Sequence, residues 1–151
     1  MSDEYEALKL ENQLCFPLYA AARAMTRAYY PYLSKLNLTY TQYIAMMVLW
    51  EREQCSIKDL SEKLYLDTGT ITPLLKSMEQ KGFVRRRRSE KDERSVTVSL
   101  TDAGWALRDK ALSVPAKLSE CIIFQREDAE QLYTLLYRLL NEMTSKLEDC
   151  Q

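Results

Sequence analysis

Residues 56–100 constrain the fold most. Two helical periods come one after the other, then the pattern changes to strand alternation in a run of basic side chains. Ser56-Ile57-Lys58-Asp59 has the form of a capping box, with Asp59 where glutamate is commoner, and it opens a short helix ending near Leu64. Leu66-Asp67-Thr68-Gly69 reads as a turn. Thr68 or Thr70 then offers a hydroxyl to cap a second helix running to Gln80. Pro73 falls in the first turn of that helix, where a missing amide costs little, and Gly82 suits its stop. Phe83-Val84-Arg85 and Ser95–Leu100 alternate and carry β-branched residues, so they are expected to pair about a charged tip, Ser89–Arg94.

The flanking sequence is expected to be helical, since three glycines and four prolines leave few turns. Between Tyr5 and Tyr30, Leu8, Leu14, Cys15, Leu18, Ala22 and Met25 recur near helical spacing; Pro17 should bend this helix, and Tyr29-Tyr30-Pro31 should break it. Asn37-Leu38-Thr39 offers caps for Tyr40–Glu51, whose run IAMMVLW reads as buried. Thr101 caps a helix from Asp102 to about Ser113, and Pro115 interrupts or bends it. The last helix, Glu127–Leu147, carries Leu132, Leu135, Leu136, Leu139, Leu140, Met143 and Leu147 on one stripe. The expected fold is therefore mainly α with a small β-wing. A winged helix-turn-helix over residues 37–101 is flanked by a helical dimerisation region, 1–36 and 102–151. All of it belongs to one domain intertwined in a homodimer.

Composition supports a globular chain, with 46% apolar and 28% charged residues. No apolar run approaches the roughly 20 residues of a membrane helix, and the acidic N-terminal stretch lacks the features of a secretory signal. A cytoplasmic protein without membrane association is expected. The chain has no histidine, which excludes zinc-finger spacings and His-dependent catalysis, and no metal or other cofactor is expected. Cys15, Cys55, Cys121 and Cys150 include no close pair; in a reducing compartment each starts as a thiol, either a small core residue or a reactive group.

The net charge of −1 hides an asymmetry. Residues 81–94 hold seven basic side chains against three acidic ones, a local excess of four positive charges, so the remainder carries five net negative charges. A basic projection on an acidic body is the electrostatic footprint of a nucleic-acid binder. Thr68, Thr70, Thr72 and Lys76 fit the exposed face of the second helix, where they can reach base edges, while Ile71, Leu74, Leu75 and Met78 fit the buried one. In RRRRSEKDER, Arg85–Arg88 suit phosphate contacts and strand pairing, and Arg94 suits insertion into the minor groove. The alternative is a solvated charged hairpin in a protein-interaction module.

The stretch LSEKLYLDTGTITPLLKSMEQKGFVRRRRSEKDERSVTVSLTDAG resembles the MarR family of winged-helix regulators, with DER, a strand and then SLTDAG as the specific signature. QLCFPLYAAARAMTRAYYPYL, with LTYTQY after it, resembles the organic hydroperoxide resistance repressors within that family, and the likeness covers nearly the whole chain. It implies a homodimeric repressor released from double-stranded operator DNA by organic hydroperoxides. It also implies a groove-reading helix comprising Asp67, Thr68, Gly69, Thr70, Thr72, Pro73 and Lys76. The wing would contribute Arg86 and Arg94, with Asp92 as its brace.

A peroxide sensor needs a thiolate, the form that attacks an O–O bond to give sulfenic acid. Without histidine, phenols near Cys15 could stabilise that anion. Tyr19 lies one helical turn from Cys15; the contact of Tyr29 and Tyr40 with Cys15 is what the resemblance implies and is not set by spacing. Leu14, Phe16, Leu18 and the Met46-Met47 run would favour organic peroxides over hydrogen peroxide. The resemblance also implies the two-cysteine subgroup, in which Cys121 resolves the Cys15 sulfenate as an intersubunit disulfide. Core packing remains the alternative for Cys15, and burial beside Ile122 and Ile123 the alternative for Cys121. Cys150 could compete as a partner, and Cys55 reads as structural. Two further possibilities stay open: a repressor of the same family switched by a non-covalent phenolic ligand, and a thiol peroxidase. Beyond Arg23, no Arg or Thr pattern around Cys15 favours the turnover a peroxidase needs.

Overall fold

The computed structural model describes residues 5–90, 94–122 and 124–149, with side chains up to residue 145. The elements run α1 (Cys15–Leu33), α2 (Tyr40–Arg52), β1 (Gln54–Ser56), α3 (Ile57–Leu64), α4 (Thr68–Gln80), β2 (Val84–Arg88), β3 (Val96–Leu100), α5 (Asp102–Ala111), α6 (Val114–Cys121) and α7 (Arg126–Asp149). Residues up to Leu118 form one compact unit, and those from Ser119 form a second. No helix among the described residues is long and apolar enough to cross a membrane.

The first unit is built around one core. Met46 and Leu49 of α2, Leu60 of α3, Ile71, Leu75 and Met78 of α4, Val84 of β2 and Val98 of β3 are fully buried. Each such side chain stabilises the fold by about 1.5–3 kcal/mol relative to exposure. The helix pair and the hairpin are thus backed by the same apolar layer. The sheet is antiparallel in the order β1-β3-β2, with Arg86 opposite Val98 and Cys55 opposite Val98 from the other side. β1 is not expected from the sequence, because Gln-Cys-Ser carries no β-branched alternation; its pairing with β3 defines it instead. β2 is longer than the expected Phe83–Arg85, since cross-strand bonds to Val96–Leu100 carry the arginines along.

The N-terminal segment also departs from expectation. Glu6–Leu8 and Leu10–Asn12 form 3-10 turns, and α1 begins only at Cys15. Side-chain amides hold these turns: Asn12 Nδ2 donates to Glu6 O at 2.8 Å and Gln13 Nε2 to Ala7 O at 2.6 Å, using carbonyls that a continuous helix would need. Pro17 therefore lies in the first turn of α1, where its missing N–H costs little. Pro31, expected to break the helix, sits inside its last turn. One rung is lost there, but the helix continues to Leu33, which is 1% exposed and whose burial offsets that loss. Pro115 falls at the second position of α6, after a break at Leu112-Ser113.

α5 is docked against the base of the wing. Thr101 caps it, accepting the Gly104 N–H at 3.1 Å, while the Thr101 amide donates to Phe83 O at 3.1 Å. Trp50 Nε1 of α2 donates to Gly104 O at 3.0 Å. A Cβ on Gly104 would lie 2.1 Å from the Phe83 carbonyl oxygen, so only glycine permits this approach. Gly104→Ala should lower stability by about 2–4 kcal/mol, read as a lower urea midpoint at unchanged m-value. A loss below about 0.5 kcal/mol would show that the wing base does not depend on this contact.

Candidate nucleic-acid interface and thiol site

α4 is capped by Asp67, whose Oδ1 accepts the Thr70 N–H at 2.7 Å, rather than by Thr68 or Thr70 as the sequence suggested. A carboxylate is the stronger acceptor, and its negative charge complements the positive end of the helix dipole. Ile71, Leu75 and Met78 are buried and Leu74 is half-buried, which turns Asp67, Thr68, Gly69, Thr70, Thr72, Pro73 and Lys76 to the surface. An open groove lies beside this face, lined by Thr68 and Thr72 of α4, Ser56 before α3, Lys58, Ser61 and Glu62 of α3, and Arg94 at the edge of the wing. The structure thus brings Thr68, Thr72 and Arg94 together. Lys58 joins them; its place in the first turn of the first helix of the pair was the available sign, and sequence reasoning passed over it. The groove's cations are Arg94 and Lys58, the latter 3.9 Å from Glu62 on the same lining, and these are the groups there that can meet an anionic backbone.

Along the wing, Arg85, Arg87, Arg88 and Arg94 are exposed. Arg86 is not available in the same way. Its Nη2 and Nε donate to Glu79 Oε2 at 2.7 and 2.9 Å, and its backbone N–H donates to Glu79 Oε1 at 2.9 Å. Expected among the DNA contacts, Arg86 instead clamps β2 to the end of α4, because a carboxylate in the last turn of that helix meets both its guanidinium and its amide. Asp92, expected to brace the wing, lies outside the described residues.

Cys15 stands exposed at the start of α1, with Leu14, Phe16 and Leu18 exposed around it. Tyr19, one turn on, is exposed and accepts a hydrogen bond from Arg23 Nη1 at 3.3 Å. Tyr29 and Tyr40 do meet, with ring centroids 5.0 Å apart, and Tyr43 joins them at 5.8 Å from Tyr29. They do not meet Cys15 of the same chain. Fourteen helical steps of continuous α1 separate Cys15 from Tyr29, about 21 Å at 1.5 Å per residue. Burial raises the phenols of Tyr29 and Tyr43 above the ordinary 10.0, with Tyr40 adding to both shifts, so they stay neutral hydrogen-bond donors. Met46, considered as a lining for apolar peroxides, is fully buried on the core side of α2, whereas Met47 is exposed.

The remaining cysteines separate by environment. Cys55 is buried in β1; burial and Asp59 push its thiol up while Arg52 opposes them, which leaves a neutral, inert group. Cys121 is exposed at the end of α6 rather than packed away with Ile122. Cys150 lies outside the described residues.

A helix pair with a surface-facing second helix, backed by a three-stranded wing, is the architecture of winged-helix transcriptional regulators. The SarA/Rot family of transcriptional regulators matches residues 27–110. The chain is 49% identical to the organic hydroperoxide resistance transcriptional regulator of Bacillus subtilis (strain 168), over 97% of this chain and 99% of that protein. It is 40% identical to the HTH-type transcriptional regulator SarZ of Staphylococcus aureus, over 83% of this chain and 86% of that one. Among solved structures, reduced AbfR bound to DNA superposes with a TM-score of 0.79 at 28% identity, covering 94% of this chain and 97% of that one. AbfR has also been solved in a disulfide form, at a TM-score of 0.63 and 32% identity, with 89% and 95% covered. The chain belongs to the MarR family of winged-helix transcriptional regulators, in its organic hydroperoxide resistance branch.

The Glu79–Arg86 clamp makes a pH-dependent contribution. The Arg86 backbone amide and then its guanidinium hold the Glu79 carboxyl below the usual 4.5. A depressed carboxyl pKa stabilises the fold above the unfolded value and loses that contribution as pH falls through the folded one. Glu79→Gln should therefore lower the urea midpoint at pH 7, and the gap to wild type should close as pH drops below 4.5. A gap independent of pH would mean that the carboxylate's charge contributes nothing.

Proposed function

We propose that this chain is a homodimeric, DNA-binding repressor whose operator affinity is switched off when organic hydroperoxide oxidises Cys15. The observation that carries this reading is the separation along α1: an exposed thiol in apolar surroundings at its start, and about 21 Å further on Tyr29, which forms a partly buried phenol cluster with Tyr40 and Tyr43 of α2. Two copies related by a two-fold axis, with their α1 helices antiparallel, would let Cys15 of each meet Tyr29 and Tyr40 of the partner subunit. Neutral phenols donating to the sulfur would then favour the thiolate. Support comes also from the Bacillus subtilis relative, named for organic hydroperoxide resistance, and from AbfR, solved reduced on DNA and in a disulfide form.

In the proposed reaction the Cys15 thiolate attacks the outer peroxide oxygen. The O–O bond breaks and the alkoxide leaves as alcohol after taking up a proton, so the sulfur becomes a sulfenic acid and the peroxide is reduced by two electrons. The Cys121 thiolate of the partner subunit then attacks that sulfur, forming a disulfide and releasing hydroxide, which is protonated to water. The tyrosine contacts are lost and the two DNA-binding halves are re-spaced. In this scheme residues 37–101 serve DNA, and residues 1–36 and 102–151 serve dimerisation. Thr68, Gly69, Thr70, Thr72, Pro73 and Lys76 face the major groove, Asp67 holds the start of their helix, and Arg94 enters the minor groove.

Two measurements test the scheme. Cumene hydroperoxide should weaken operator binding by the wild-type protein about tenfold or more, and should leave a Cys15→Ser variant bound. Release of that variant at the same dose would end the redox reading in favour of a non-covalent ligand. A non-reducing gel should show a peroxide-induced dimer that is absent from Cys121→Ser; a crosslink persisting in Cys121→Ser would move the resolving role to another thiol. For the interface, Arg87→Ala should reduce the slope of log Kobs against log salt by about one, the signature of a lost phosphate contact, and Arg94→Ala should weaken binding through loss of the minor-groove insertion. Arg86→Met should weaken binding with the slope unchanged, because its charge is already satisfied by Glu79.

A further inference from the structure

Among the described residues, Gln42 is the buried side chain that is polar, at 4% exposure, and its amide ties together three parts of the chain. Oε1 accepts from the Thr39 backbone N–H at 3.2 Å and from Lys81 Nζ at 2.8 Å, while Nε2 donates to Ser77 Oγ at 3.1 Å. Lys81 Nζ donates in addition to the Asn37 carbonyl at 2.8 Å. The start of α2 is thereby joined to the last turn of α4 and to the residue just beyond it.

Packing alone does not account for a glutamine here. An apolar side chain of similar length would fill the space without the cost of desolvating an amide, and apolar contacts between α2 and α4 would tolerate small slides. Hydrogen bonds from one amide to the cap of α2 and to two residues at the end of α4 fix direction and register together. The position of that amide is informative. Gln42 stands two residues from Tyr40 and next to Tyr43, and the rings of both pack on Tyr29, at 5.0 and 5.8 Å. The far end of the same network is the helix whose exposed face lines the candidate DNA groove.

We infer that Gln42 is a positioning residue coupling the tyrosine cluster to the recognition helix, so that α4 moves with any displacement of the N-terminal end of α2. This rests on the redox reading above. With the cluster intact, Thr39 and Gln42 hold Ser77 and Lys81 where α4 fits its half-site. When oxidation of Cys15 withdraws the contact that the partner subunit supplies to Tyr29 and Tyr40, the start of α2 shifts and the network carries the shift to α4. Coupling of this kind is a difference in free energy between two states, and it is lost when the link alone is cut.

The test uses the full chain and operator DNA, with Kd measured before and after stoichiometric cumene hydroperoxide and Cys15 oxidation tracked by mass spectrometry. In Gln42→Met, Cys15 should oxidise at the wild-type rate while the ratio of oxidised to reduced Kd falls about tenfold. Gln42→Glu keeps both acceptor bonds, sets a carboxylate against Lys81 and leaves the Ser77 contact to be made by the serine hydroxyl as donor, so it should restore the wild-type ratio. Lys81→Met and Ser77→Ala, each cutting one arm, should move the ratio in the direction of Gln42→Met. A Gln42→Met protein that retains the wild-type ratio, even with both affinities lowered equally, overturns the inference and leaves Gln42 a merely structural residue. Should that variant not fold, Lys81→Met and Ser77→Ala decide, and an unchanged ratio in both overturns it. A wild-type protein that peroxide fails to release overturns the redox reading itself, an outcome visible before any variant is compared.

Discussion

The buried stripe of Ile71, Leu75 and Met78 fixes the rotation of α4, and the interface depends on that rotation. With those three side chains in the core, the intervening positions Thr72 and Lys76 point outward, and Thr68 is exposed at the start of the helix. The polar clamps at the end of the helix then remove the remaining freedom. Glu79 takes Arg86 of β2, and Ser77 and Lys81 take Gln42 of α2. Thr101 and Gly104 hold α5 to the same wing base. Recognition helix and the base of the wing are thus parts of one packed body, and the groove lined by Thr68, Thr72 and Arg94 lies on its surface.

A second constraint comes from the length of α1. A continuous helix from Cys15 to Leu33 keeps the thiol and the phenol cluster at opposite ends, so no rearrangement of side chains within one chain can join them. Any chemistry that needs both must be shared between copies. Exposed Leu14, Phe16 and Leu18 on and beside α1 and exposed Leu132, Leu135 and Met143 on α7 are the kind of apolar surface that a second copy would cover.

Much of this is legible in the sequence because the governing interactions are local. The caps at Thr39, Ser56 and Thr101, the α4 stripe and the hairpin alternation are all short-range patterns. The features that escape sequence reading depend on distant partners. β1 exists through β3, and Arg86 reads as one more basic residue until Glu79 is seen beside it. Gln42 carries no sign of its burial until Ser77 and Lys81, more than thirty positions away, close on its amide. Pro31 misleads in a related way, since the burial of Leu33 two residues later decides whether the helix continues. In the candidate thiol site, spacing gives Cys15 and Tyr19 as neighbours, but helix length is what forbids the pairing with Tyr29.

These constraints limit how a repressor of this shape can be switched off. Charge is a poor lever: Arg85, Arg87, Arg88 and Arg94 remain exposed and cationic whatever happens at Cys15. Deforming the reading surface is a poor lever too, because α4 is held by three core side chains and by clamps at its end. Moving one packed body relative to another breaks none of those interactions. It costs little within each subunit, yet in the proposed homodimer it would misplace two recognition helices set for half-sites one turn of DNA apart. In the proposed homodimer, the apolar stripe that holds α4 in place would therefore also leave spacing between subunits, rather than the surface of either one, as the variable that oxidation changes.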